Sequence, residues 1–150
     1  MREMLRDAVG FTLIETMIAM LLLAFIVGEM AMVDVGAKRS ANLAKRVTKA
    51  NALADDAVEK SRNRAYANLQ LAMADLGEAC AIASNVATCT STAPIEGIFT
   101  RVRRVTPLNA ANAVTALSAS GKADVVVTVT FADARGNPQR ISVASVVTKF

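Results

Sequence analysis

Gly10-Phe11-Thr12-Leu13-Ile14-Glu15 runs directly into TMIAMLLLAFIV, residues 16–27, an uninterrupted apolar stretch. From Phe11 onward the chain has no proline before Pro94, so nothing forbids one long helix through this stretch and well past it. As a helix, Phe11 to Val27 covers about 25 Å, and continuation to Val35 covers a bilayer. Glu15 is the anomaly. An ionised carboxylate within hydrocarbon costs about 2–4 kcal/mol even on lenient insertion scales. A side chain that expensive is expected to have a function and a partner.

Three topologies compete for residues 4–35. A secretory signal would use Val35-Gly36-Ala37 as a small-residue cleavage site, but an export signal gains nothing from Glu15. A plain single-pass anchor accounts for the length and not for the carboxylate. A segment cleaved on the cytoplasmic side of its apolar run accounts for both. The hexamer closely resembles the processing site of type IV pilin-like proteins, which include pilins, minor pilins and type II secretion pseudopilins. The resemblance implies a cut after Gly10, N-methylation of the new N-terminal Phe11, and a role for Glu15 in assembly. Residues 1–10 would then be a leader, 11–35 the transmembrane and assembly half of the helix, and 36–150 an exported domain. Counting charges, Arg2 and Arg6 against Lys38, Arg39, Lys45 and Arg46, favours the opposite orientation. The motif is the more specific signal and places the domain outside.

Cleavage gives Glu15 a physical task. A free or methylated amine on Phe11 is a positive charge at membrane depth, and Glu15 of a neighbouring subunit can neutralise it. Two costly charges become one tolerable pair, and the pairing fixes axial register. The partners implied by the resemblance are other pilin or pseudopilin subunits, a prepilin peptidase/methyltransferase and an inner-membrane assembly platform. The implied location is the bacterial inner membrane, N-terminus cytoplasmic before cleavage and domain periplasmic, then a pilus or pseudopilus filament.

Composition narrows the rest. The 150 residues suffice for one small domain and a membrane segment, and hydrophobic residues reach 53%. His is absent, which removes the commonest general base and metal ligand. No triad, glycine-rich phosphate loop or metal-spaced cysteine cluster is present, so neither an enzyme nor a cofactor or metal is expected. The net charge of +4 comes from Lys38, Arg39, Lys45, Arg46 and Lys49, then Arg62 and Arg64, then Arg101, Arg103 and Arg104. A solvated or lipid-adjacent face is the first explanation of such a stripe. Cys80 and Cys89 flank a polar, turn-rich stretch. In an oxidising compartment they are expected to form one disulfide, contributing about 2–3 kcal/mol in the chain-entropy view. Two reduced, unrelated thiols are the alternative.

Beyond the apolar run, Leu43, Val47, Ala50, Ala54 and Ala57 recur in steps of four and three along one helical face. Their small size predicts close packing against a sheet or another helix. Gly28 and Gly36 are the expected soft points. The helix should end near 61–65. Leu69, Met73 and Leu76 suggest a short second helix stopping at Gly77. Residues 81–97 read as loop, 98–105 as an arginine-bearing edge strand, and 106–122 as a long connection. Strict alternation makes 123–132 the clearest strand, with Val125, Val127, Val129 and Phe131 on one face. A turn at 133–138 and a strand at 140–150 follow. The product is α+β: a long N-terminal helix, membrane-embedded in its first half, on an antiparallel sheet of about three strands. This layout is also pilin-like. The final hairpin resembles minor pilins of the pilus-modification type and small pseudopilins.

Two functions follow. The first is a structural subunit, a minor pilin, with a type II secretion minor pseudopilin as its close alternative. The second is a pilin-like receptor for DNA or surfaces that uses Arg101, Arg103 and Arg104. Nucleic acid ranks lower as a partner, because no aromatic residue adjoins those arginines as a stacking platform.

Overall fold

A computed structural model describes residues 12–149; Gly10 and Phe11 lie outside that range. One helix, α1, occupies Leu13–Arg62, and five strands follow: β1 Glu78–Ala83, β2 Val86–Ser91, β3 Thr100–Leu108, β4 Lys122–Ala132 and β5 Pro138–Thr148. All neighbouring strands are antiparallel, in the order β1-β2-β3-β4-β5. The α+β layout expected from the sequence is present, with five strands in place of about three. The chain divides into a unit ending at Ala41 and a second unit from Asn42 onward. α1 runs unbroken through Gly28 and Gly36. A helical glycine weakens the helix by about 1 kcal/mol but keeps its N–H in the ladder.

Within the second unit, the predicted face of α1 is the buried one. Ala50, Ala54 and Ala57 have no exposed surface and Val58 almost none. They join Val125, Val127, Val129, Phe131, Val105 and Phe99 in one apolar cluster. Alanines give the helix backbone a close approach to the sheet, and the valines of β4 fill the space between. A larger residue has no room there. Ala54→Leu is expected to cost about 1–3 kcal/mol by overpacking, read as a lower denaturation midpoint of the full chain in detergent.

Basic residues of α1 lie on its solvent-accessible side, as a solvated face would, and three of them also contact the rest of the second unit. Arg46 donates to the Ala132 carbonyl at 2.5 Å, Lys49 pairs with Glu96 at 2.7 Å, and Arg62 Nε donates to Ser145 Oγ at 2.8 Å. Lys38 pairs one turn back with Asp34. The exposed ion pairs contribute little each.

Three expectations are corrected. Residues 81–97 are largely strand: β1 and β2 form a hairpin closed by Ser84 and Asn85, both at positive φ (50° and 65°). That is the two-residue turn whose twist matches the strands, and Asn tolerates it well. The second helix is only two 3-10 turns, Tyr66–Asn68 and Ala74–Leu76, although the chain does stop at Gly77 in the left-handed region. β3 is a central strand, not an edge, because the unforeseen hairpin lies on its outer side.

The β4–β5 turn is built on Asp133. Its carboxylate accepts the N–H groups of Arg135 at 2.8 Å and Asn137 at 2.9 Å, while Gly136 takes φ 82°. The Asn137 N–H foremost, helped by Arg135, holds the Asp133 carboxyl below its ordinary 3.8. A lowered folded value stabilises the fold above the ordinary value, and that contribution fades as pH falls through the folded one. Asp133→Ala is therefore expected to flatten the acid limb of a stability-versus-pH curve.

Candidate functional site: an apolar helix with a carboxylate in its first turn

The first half of α1 is apolar on every side. Leu13, Ile14, Met17, Ile18, Met20, Leu21, Leu22, Leu23, Phe25, Ile26 and Val27 are all more than half exposed, as are Met30, Met32 and Val33 further on. This helix is long and apolar enough to cross a membrane; the mean hydropathy of its best 18-residue window is 2.2, with none of that window buried. An all-round apolar surface of this extent is unsustainable in water. From Leu13 to Val35 the helix rises about 34 Å, against about 30 Å of hydrocarbon.

The helix begins at Thr12. Its carbonyl accepts the N–H of Glu15 at 3.0 Å and of Thr16 at 3.2 Å, and the Thr16 hydroxyl donates to the Leu13 carbonyl at 2.8 Å. Glu15 thus stands in the first turn, where the free N–H ends of the helix favour negative charge. Among the described residues its carboxylate has no ion pair or hydrogen-bond partner. Thr12-Leu13-Ile14-Glu15 also has the spacing of a helix-start box, a signal the sequence carries and the motif argument left unused. Glu29 is a second carboxylate on the apolar helix that pattern reading passed over. It lies two heptads beyond Glu15 and so on nearly the same side.

The arginines have a different fate. Phe99, Arg101, Arg103, Val105 and Pro107 alternate onto the interior face of β3. Arg101 is 2% exposed and Arg103 fully buried; only Arg104 faces out. A three-arginine surface patch is therefore not formed, and two of its three members are unavailable to an external phosphate. Both serve the interior. Arg103 donates from Nε and Nη2 to Glu78 Oε2 (3.1 and 2.9 Å), and to the carbonyls of Leu69 and Leu71 at 2.7 and 3.1 Å. Arg101 Nη2 reaches the Leu76 carbonyl at 2.8 Å, and its Nε lies 3.5 Å from Glu78 Oε1. Glu78 Oε1 and Arg101 Nε face each other without a hydrogen bond. The guanidinium forks thereby fasten the segment between α1 and β1 over one end of the sheet.

Cys80 and Cys89 are disulfide-bonded, directly opposite each other on β1 and β2. Counting from the turn-closing pair Ala83 and Val86, they occupy a non-hydrogen-bonded position, where side chains come closest. Arg103 lies opposite Cys89 on β3 and its Nη2 approaches Cys89 Sγ at 3.4 Å. Glu78 is close to both sulfurs. With the sulfurs bonded to each other and the carboxylate engaged by two guanidinium groups, this trio is occupied by its own contacts. No family model, curated protein or solved structure matches the chain.

Proposed function

We propose that this chain is a structural subunit, a minor pilin of a type IV pilus, processed after Gly10 and assembled through the apolar half of α1. One observation carries this reading. A helix with apolar side chains exposed on all sides bears a carboxylate, Glu15, in its first turn with no partner among the described residues, and the same helix continues into the buried face of a small domain. A simple anchor has no use for that carboxylate. A subunit that is stored in lipid and then packed against copies or relatives of itself does. Removal of residues 1–10 leaves an amine four residues before Glu15 in sequence, so a neighbour displaced by about one helical turn would bring its amine level with the carboxylate. The pair neutralises two charges in a low-dielectric setting and selects one axial offset among many. The apolar flanks supply the packing.

Prepilin peptidase/methyltransferase, an inner-membrane assembly platform and other pilin subunits are the partners this assigns, and the domain lies on the exported side. The burial of Arg101 and Arg103 removes most of the surface on which a DNA-receptor role would rest.

Imaging of filaments sheared from cells that carry an epitope tag at the β4–β5 turn tests the proposal. Sparse label along or at the tips of filaments is expected. Label confined to the membrane fraction, with none on any filament, rejects it.

A further inference from the structure

We propose that the Cys80–Cys89 bridge is chemically one-sided: thiol–disulfide exchange engages Cys80, and Cys89 is the departing or resolving thiolate, held by Arg103. This goes beyond filament assembly and does not depend on it.

Access is the first argument. Exchange proceeds by attack of a thiolate on one sulfur, in line with the bond that breaks. Cys89 lies on β2, enclosed between β1 and β3, and is completely buried. Cys80 lies on β1, the edge strand, and is only half-buried. An incoming sulfur can therefore reach Cys80 and not Cys89.

Charge is the second argument. When a thiolate attacks Cys80 Sγ, a new S–S bond forms there, the Cys80–Cys89 bond breaks, and its electron pair goes to Cys89 Sγ. That sulfur already has the Arg103 guanidinium 3.4 Å away. The other charged group beside it is Glu78, whose carboxylate oxygen lies within 4.8 Å of both sulfurs and is bound by Arg103 and Arg101. Two guanidinium groups and one carboxylate leave the buried cluster with a surplus positive charge, which a Cys89 thiolate would balance. Of the other charges nearby on α1 and its following segment, Asp56, Lys60 and Asp75 are exposed and pair with one another, while Arg64 donates to the Leu71 and Ala72 carbonyls and adds to the positive side. Burial alone would keep Cys89 protonated, whereas an adjacent cation favours the thiolate. Here the cation touches the sulfur itself.

The reverse reaction forms the bridge. A disulfide oxidant of small-molecule or protein type transfers one sulfur to Cys80 and loses the other as a thiolate. The Cys89 thiolate then attacks Cys80 Sγ, closing the bridge and releasing the oxidant's second thiolate. The surface that such an oxidoreductase meets is the free edge of β1.

The test uses the oxidised full-length protein in detergent. It is exposed to excess glutathione, quenched with a maleimide and mapped by mass spectrometry. Mixed disulfide on Cys80 with maleimide on Cys89 should exceed the reverse pattern by about tenfold or more, since the leaving sulfur is fixed. Equal labelling, as an unfolded chain would give, or a preference for Cys89 overturns the proposal. In Cys80→Ala, thiolate absorbance should show Cys89 ionising below the ordinary value of about 8.5. Ionisation at or above it contradicts the role given to Arg103.

Discussion

Glu15→Ala subunits are expected to enter the membrane and lose their leader normally, yet to be depleted at least tenfold from filaments. Removing a carboxylate from an apolar helix makes insertion easier, by about 2–4 kcal/mol on the insertion scales, so lost incorporation cannot be blamed on poor targeting. In the proposed assembly the variant lacks the partner for a neighbour's Phe11 amine. That amine is then left uncompensated at membrane depth, which costs more than the net worth of the pair it would have made. Depletion therefore appears in the filament and not in the bilayer. Glu15→Asp keeps the charge but shortens its reach, and should fall between the two. Immunoblots of sheared filaments against membranes measure all three chains. Normal filament levels of Glu15→Ala would remove the register argument.

The second large effect is expected inside the domain. Arg103→Ala should cost about 3–5 kcal/mol, the range for breaking a buried ion pair from one side. Against a typical domain stability of about 5–15 kcal/mol, that is enough to leave the domain marginal. Arg103 donates twice to Glu78 and once each to the Leu69 and Leu71 carbonyls. Its loss leaves Glu78 with Arg101 at 3.5 Å, Leu69 without its side-chain donor, and Leu71 with the longer bond from Arg64. Glu78→Ala is expected to be of similar size, because it leaves two guanidinium groups facing each other. Replacing Glu78, Arg101 and Arg103 together with apolar residues should recover part of the loss. Recovery should stay incomplete, because the carbonyls of Leu69 and Leu76 still lose their side-chain donors. Denaturant unfolding of the full chain in detergent reads these differences. An Arg103→Ala midpoint close to wild type would mean that the cluster holds nothing together.

These two predictions mark what pattern reading could and could not see. The alternation of residues 123–132 and the alanine face of 50, 54 and 57 were legible because each uses one period and one kind of side chain. The interior of β3 was not. Phe99, Arg101, Arg103 and Val105 have a clean period of two, but arginine at alternate positions reads as a wet face. Only the distant Glu78 and three carbonyls make burial tolerable, and no local rule reveals partners about 25 to 34 residues away. The β1–β2 hairpin was hidden for a related reason. Its strands are rich in alanine, which carries weak strand preference, with only Ile82 and Val86 as large apolar residues, and its Ser84-Asn85 turn lacks the glycine that usually announces such a bend. The arginines themselves argue for an edge strand, and the hairpin that covers the outer side of β3 reads as loop, so nothing in the pattern opposes that reading.

The apolar helix announces itself in the sequence, whereas the chemistry of its carboxylate does not. Length, hydropathy and exposure fix a membrane-compatible helix. In the proposed assembly the partner of Glu15 is an amine that exists only once the chain is cut. Mass spectrometry of the intact protein from native membranes and filaments addresses that step. A mature N-terminus at Phe11, carrying one added methyl group, is what a liberated amine meeting a neighbour's Glu15 requires. A protein that still begins at Met1, or one severed beyond Val35, would contradict it.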